Sequence, residues 1–438
     1  MIEPSAEVWL PRAQFGLPNT PDCGMRKIVN QRFHTLLVCL LAGIVLPASA
    51  PAQIDPEKRQ LIQFGYSQPL EGHGPVSGYA YYYLNQPDFG RTNLTLRLAI
   101  APVYLDSEFG LNHALGPHTD LAFGLAGGGF AYSYYEVRQG RFQESESFTG
   151  HGAEASASVY HLFNPGQQIP LNAVLRISPH FLTFERDDHT AAAFGLPADR
   201  TELRIRSGLR WGGREPLLTP ALAMEMSIWH EGQWRSNPGG YGFGGDRSVR
   251  ASSHLFWARA LLTYTFPASE QSFNVGLTAG TSAGADRFSA YRMGAALPMA
   301  SEFPLNVPGY YFQEISAQRF VLLSGQYSVP LDRARLWSIN ALAATAVVDY
   351  IAGLNQPGDW HSGVSGGIGY RSSRNTWQVI AGYAYGLDAI RNQGRGAQSI
   401  GIVFQFDLEA RQHPQKSDLK PEISPAKSGI IDKLFKLF

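Results

Sequence analysis

Three groups of residues have the types and spacing that chemistry uses. Gly280-Thr281-Ser282-Ala283-Gly284 matches G-x-S-x-G, the pattern that exposes a nucleophilic serine on a strand–turn–helix elbow. Here the motif ends a run of period two, and Asp286-Arg287-Phe288 follows where a helix should begin. Small residues on a strand facing a crowded interior account for it, so no catalytic residue is assigned. Asp187-Asp188-His189 sets two carboxylates beside an imidazole, a metal corner or half of an acid–base dyad. No second histidine or carboxylate cluster stands at ligand spacing. The triplet closes a strand run and reads as a charged loop, with neither metal nor cofactor expected. Arg204, Arg206 and Arg210 share one parity of a strand and form a basic row. Such a row lines an anion path or pairs with acids on neighbouring strands; pairing is the expectation.

The elements that must position these groups are strands. Leu203, Ile205, Leu209 and Trp211 alternate with the basic row, and Leu94, Leu96, Leu98 and Ile100 alternate with Thr95, Arg97 and Ala99. Trp377, Val379, Ala381, Tyr383 and Tyr385 form another apolar row, and Ile400, Ile402, Phe404, Phe406 and Leu408 the cleanest one. Alternate residues of a strand face opposite sides, so each run has an apolar face and a small or polar face. Fifteen such runs can be drawn, near 60–68, 73–86, 92–106, 117–136, 150–163, 171–188, 197–213, 218–235, 250–266, 271–285, 318–329, 336–350, 361–372, 376–387 and 397–408. Several exceed the length of soluble strands and suit a tilted membrane crossing.

Composition agrees. Of 438 residues 46 are Gly, 12 % are aromatic and only 16 % are charged, against about 25 % charged in soluble domains. No apolar stretch of the mature chain reaches the ~20 residues of a spanning helix. The formal net charge is zero, from 36 basic and 36 acidic residues, which argues against a nucleic-acid partner. The expected fold is all-β, a transmembrane antiparallel β-barrel. Single-chain bacterial barrels have even strand numbers, so sixteen strands are expected, with fourteen the alternative and 137–150 a place for a missing edge. The aromatic runs Tyr81-Tyr82-Tyr83, Tyr132 to Tyr135 and Tyr310-Tyr311 are expected in interfacial girdles.

The ends of the chain differ from the rest. From Met25, the basic residues Arg26, Lys27 and Arg32 precede an apolar run over 36–46, and Ala50-Pro51-Ala52 supplies a small-x-small site before Gln53. Residues 1–52 therefore read as an N-terminal extension and a cleaved signal peptide, which addresses the chain to the outer membrane of a Gram-negative bacterium. Cleavage removes Cys23 and Cys39, leaving no thiol. A lipoprotein reading at Cys39 is disfavoured because Val38 stands where a small residue is required. The barrel is expected over 53–410. Residues 411–438 read as a disordered tail ending in a short amphipathic helix or a frayed terminus.

One connection breaks the rhythm. About thirty residues separate the runs 271–285 and 318–329, including Tyr291-Arg292-Met293-Gly294 and Val307-Pro308-Gly309-Tyr310. Downstream come Arg319 to Pro330 (RFVLLSGQYSVP), Val347-Val348-Asp349-Tyr350 and Gly367-Ile368-Gly369-Tyr370-Arg371. In order and spacing, residues 287–408 resemble the barrel of the BamA/TamA-type bacterial surface antigens. The resemblance implies a long extracellular loop folded into the lumen on a V-R-G-F/Y tip, five strands after it, and a role in outer-membrane transport or assembly. The departure is Pro308, which stands where the family's tip arginine would be. Asp349 thereby loses its expected partner, and since a buried unpaired carboxylate is costly, Arg292 or Arg371 is expected to supply the charge. The family's periplasmic docking repeats are not expected here. Outer-membrane lipid and lipopolysaccharide are the expected partners of a monomer, with a separate periplasmic partner left open. Two other readings stand: a porin-like passive diffusion channel, since porins also fold a loop inward, and, more weakly, a surface lipolytic enzyme using Ser282.

Overall fold

The computed structural model describes residues 58–412, apart from 73, 130–133, 166, 168, 213–223, 267–268, 296–303 and 392–393. The expected signal region and the tail beyond 412 lie outside the described residues.

Sixteen antiparallel strands form the wall. They are β1 (Arg59–Pro69), β2 (Ser77–Pro87), β3 (Leu94–Ala101), β4 (Tyr104–Leu111), β5 (Thr119–Gly128), β6 (Arg141–Leu162), β7 (Leu171–Glu185) and β8 (Arg200–Gly212). The second half comprises β9 (Met224–Arg235), β10 (Ser252–Thr265), β11 (Ser272–Ala283), β12 (Ile315–Pro330), β13 (Trp337–Tyr350), β14 (Trp360–Arg371), β15 (Trp377–Arg391) and β16 (Gly394–Asp407). Each pairs with its neighbour in sequence, and β1 pairs with β16 from Leu61↔Asp407 to Pro69↔Ser399, which closes the sheet. Closure removes the free edges that an open sheet would expose. A short helix, α1 (Leu408–Gln412), follows the last strand; Asp407 caps it by accepting from the Ala410 amide at 2.7 Å.

The burial pattern is the inverse of a soluble protein. Leu203, Leu209, Ile228, Leu277, Val321, Ile339 and Ile402 are exposed, while Gln63, Glu202, Glu225, Gln405 and Asp407 are buried on the opposite parity. Only a solvent of hydrocarbon makes that arrangement favourable, because it hydrates no backbone and demands a closed ladder of hydrogen bonds. At the end that carries the barrel's own termini, where β1 begins at Arg59 and β16 ends at Asp407, outward rings run from strand to strand: Trp337–Tyr370 at 4.7 Å, Tyr370–Trp377 at 5.3 Å and Trp377–Phe404 at 5.9 Å.

Three expectations need correction. The run 92–106 is two strands, β3 and β4, joined by a tight turn at Pro102-Val103. This supplies the sixteenth strand. Residues 137–150 hide no further wall strand: Tyr134–Arg138 pairs with the start of the 22-residue β6, a hairpin that continues beyond the wall. Two of the tyrosine runs also depart from the girdle expectation, while Tyr132 of the third lies outside the described residues. Tyr81 and Tyr83 are buried on the inward parity, where the Tyr81 hydroxyl donates to Gln63 Oε1 at 2.7 Å; Tyr310 and Tyr311 are buried in the connection between β11 and β12.

Candidate functional site

That connection, residues 284–314, is the longest described departure from the wall. Its first part returns to β12 as Tyr291–Met293 pairs with Ile315 to Ala317. Its tip is a turn in which the Tyr310 amide donates to the Val307 carbonyl and the Val307 amide to that of Gly294 at 2.8 Å. Gly309 has φ +83°, and a Cβ there would overlap the backbone at Gly386 of β15. On β14, a Cβ at Gly363 would overlap the Pro308 carbonyl. Gly309 and Gly363 thus let main chain approach main chain.

The partners of this segment lie on the inward parity. Tyr291, Met293, Val307 and Tyr310 belong to one apolar cluster with Leu255 and Trp257 of β10, Phe320 and Leu322 of β12, and Val348 of β13. Met293 and Val307 are 0 % exposed; burying each such side chain contributes about 1.5–3 kcal/mol. Polar contacts fix the tip. The Tyr310 hydroxyl is 3.0 Å from His361 Nδ1, and the Tyr350 hydroxyl meets His361 Nε2 and donates to the Gly358 carbonyl at 2.5 Å. With that last bond made, one neutral tautomer satisfies the chain: Tyr310 donates to Nδ1, and Nε2–H donates to Tyr350. Beside it, Glu314 takes a two-pronged pair from Arg391 at 2.8 and 2.6 Å, with both side chains 2 % exposed. The Arg391 guanidinium also lies 3.7 Å over the Tyr311 ring, whose hydroxyl donates to the Glu71 carbonyl beside the β1–β16 closure.

The expected tip residues Val307, Pro308, Gly309 and Tyr310 therefore stand together against β14 and β15. The expected charge partners do not. Asp349 lies on the outward parity with its side chain 52 % exposed, accepting from Gln318 at 2.9 Å with Arg319 at 3.9 Å. Arg292 donates to the Gln313 carbonyl, and Arg371 to that of Arg335. Since Asp349 is not buried, it needs no lumen cation. Sequence reasoning missed His361, Glu314 and Arg391 and named Tyr350 only within a strand motif; no local motif ties the four together, and Glu314 and Arg391 are 77 positions apart.

Elsewhere, Arg204 pairs with Glu202 of its own strand, while Arg206 pairs with Glu231 at 2.7 Å and Arg210 with Glu225 at 3.1 Å on the neighbouring β9. Ser282 donates to the Gln318 carbonyl at 2.7 Å, and sits within the β11 ladder opposite Leu255. Asp187 accepts from the amides of His189 and Thr190, both at 2.9 Å, and so closes its own turn.

Comparison with solved structures follows the same architecture. CdiB from Acinetobacter baumannii superposes with a TM-score of 0.52 at 11 % identity, over 86 % of this chain and 68 % of that one. The chain shares the β-barrel fold of CdiB. BamA from Haemophilus ducreyi, lacking POTRA domains 1–3, aligns at a TM-score of 0.46 and 10 % identity, over 86 % of this chain and 79 % of that one. OprB from Pseudomonas putida aligns at 0.44 and 11 %, over 81 % and 94 %. No protein-family model and no curated protein sequence matches the chain.

Proposed function

We propose that this chain is an outer-membrane transport or assembly barrel of the surface-antigen type, with its lumen obstructed by the segment 284–314. The observation that carries the reading is the shared apolar cluster: side chains of the segment and inward side chains of β10, β12 and β13 bury one another. A diffusion channel gains nothing from filling its bore with hydrocarbon, whereas a barrel that opens only for a client needs a plug that is stable when idle. In this reading the end bearing the termini faces the periplasm, and the end bearing 284–314 faces outward. The Tyr310–His361–Tyr350 chain and the Glu314–Arg391 pair replace the tip arginine that Pro308 removes.

The test is single-channel conductance of the refolded barrel, intact and with residues 304–312 replaced by a short glycine linker. A quiet intact barrel and a large steady conductance after replacement are expected. A steady open pore of equal size in both would overturn the plug and favour the porin-like alternative.

A further inference from the structure

Two histidines meet on the outward face of the wall. His230 Nε2 on β9 lies 3.2 Å from His254 Nδ1 on β10, with the ring planes 10° apart. His230 shares the parity of the exposed Met226, Ile228 and Trp234, whereas Glu231 and Gln233 are buried on the other face. In register His230 opposes Phe256 and His254 opposes Gly232, so the contact is diagonal. The Trp234 ring covers Gly232, where a Cβ would overlap it. Phe256 packs on His230 at 4.6 Å and the Trp234 edge meets His254 at 5.6 Å. His254 is two positions into its strand, near the end away from the termini.

Polar side chains on a lipid-facing wall are expensive and tend to be functional. Two imidazole nitrogens converging from adjacent strands are also the elements of a chelate. Ligand nitrogens stand about 2.0–2.1 Å from zinc, and two of them at a tetrahedral angle are about 3.3 Å apart. That spacing matches the one seen here without movement of either strand.

We propose that His230 and His254 form a two-histidine site for a late first-row divalent metal ion of the zinc, nickel or copper class, which imidazole ligands suit. The rings now face each other head-on, so the ion sits just off the line between the nitrogens and both rings tilt in their planes to meet it. The proton between the facing nitrogens shifts to the outer nitrogen of its own ring, as ligation by neutral imidazole requires. Water fills the remaining positions. A strand framework holding two ligands from neighbouring strands would make the site a property of the folded barrel.

The test uses the untagged barrel in detergent micelles, titrated calorimetrically with Zn²⁺ or Ni²⁺ alone, and electron paramagnetic resonance of bound Cu²⁺. One ion per barrel and a copper signal coupled to two nitrogens are expected. His230→Ala and His254→Ala should each abolish binding while keeping the folded, heat-modifiable mobility of the barrel. His189→Ala, an exposed histidine of a loop, should leave binding intact. Absence of stoichiometric binding, binding unchanged in both histidine variants, or coupling to a single nitrogen would overturn the proposal.

Discussion

Tyr310 and Glu314 hold one segment by different physics. Tyr310 contributes a neutral hydrogen bond to His361, and Glu314 a buried ion pair with Arg391. Losing one neutral bond costs about 1 kcal/mol, whereas removing one partner of a buried pair strands the other charge and costs about 3–5 kcal/mol. Glu314→Gln should therefore release the segment more than Tyr310→Phe. Hydrogen exchange of the amides from 305 to 315 measures this: strong deprotection in Glu314→Gln and weak deprotection in Tyr310→Phe are expected. Equal effects would mean that the pair does not hold the tip. The residues of this site were only half legible in the sequence. Val307 to Tyr310 stand out because a glycine turn amid apolar residues breaks the strand rhythm. Glu314, Arg391 and His361 do not stand out, nor does the part Tyr350 plays beside them, because their meeting depends on how the segment ahead of β12 lies against the stagger of β13, β14 and β15. Asp349 misled for a related reason: a one-residue change of parity moves a side chain from lumen to exterior.

Among the elements, the excursions beyond the wall at the end away from the termini carry a second cluster. Phe148 of β6, Phe194, Tyr241 and Val249 bury one another, with Phe288 and Tyr134 against them. The Arg200 guanidinium lies 4.1 Å over the Phe288 ring and 4.8 Å over that of Phe184, a cation–π cage. Burial raises the Tyr241 hydroxyl from the ordinary value near 10 to about 12. Above pH 10 an opened cluster releases this proton while the closed one keeps it, so stability is whole below pH 10 and falls between 10 and 12. The loss at this one group is on the order of 3 kcal/mol. Tyr135, which burial also raises, leaves some alkaline sensitivity of its own. Tyr241→Phe should thus move the onset of alkaline opening upward, followed by exchange of the amides from 239 to 249; an unmoved onset would count against burial of this hydroxyl. Most of the elements could be read from period two alone, because hydrocarbon outside and polar groups inside impose it on every strand. The β3–β4 turn escaped because it leaves no polar break: Ala101-Pro102-Val103-Tyr104 continues the apolar row, and proline is its one punctuation mark.

For the molecule as a whole, the inward face is neither acidic nor basic but laced with matched charges. Glu108 pairs with Arg97 and Arg176, Glu202 with Arg204 and Arg235, and Glu225 with Arg210 and Arg259. Each carboxylate sits between two guanidiniums from different strands, so these triads tie the wall together across the lumen face as well as through the ladder. They also cancel much of the field that an ion in the bore would feel, and a barrel opened by replacing 304–312 should discriminate weakly between anions and cations. Converting one carboxylate should change that. Glu225→Gln in the opened barrel removes the negative charge shared by Arg210 and Arg259, which tips the local balance toward basic side chains, and these favour anions. Under a salt gradient the reversal potential of this variant is expected to shift toward the anion value, and the companion Arg259→Gln toward the cation value. Both shifts should shrink as salt is raised, since the bore would then be screened within a few ångströms. If neither potential moves, the Glu225 triad is sealed off from the conducting path, and the opening left by the segment must lie along the opposite wall, beneath β14, β15 and β16.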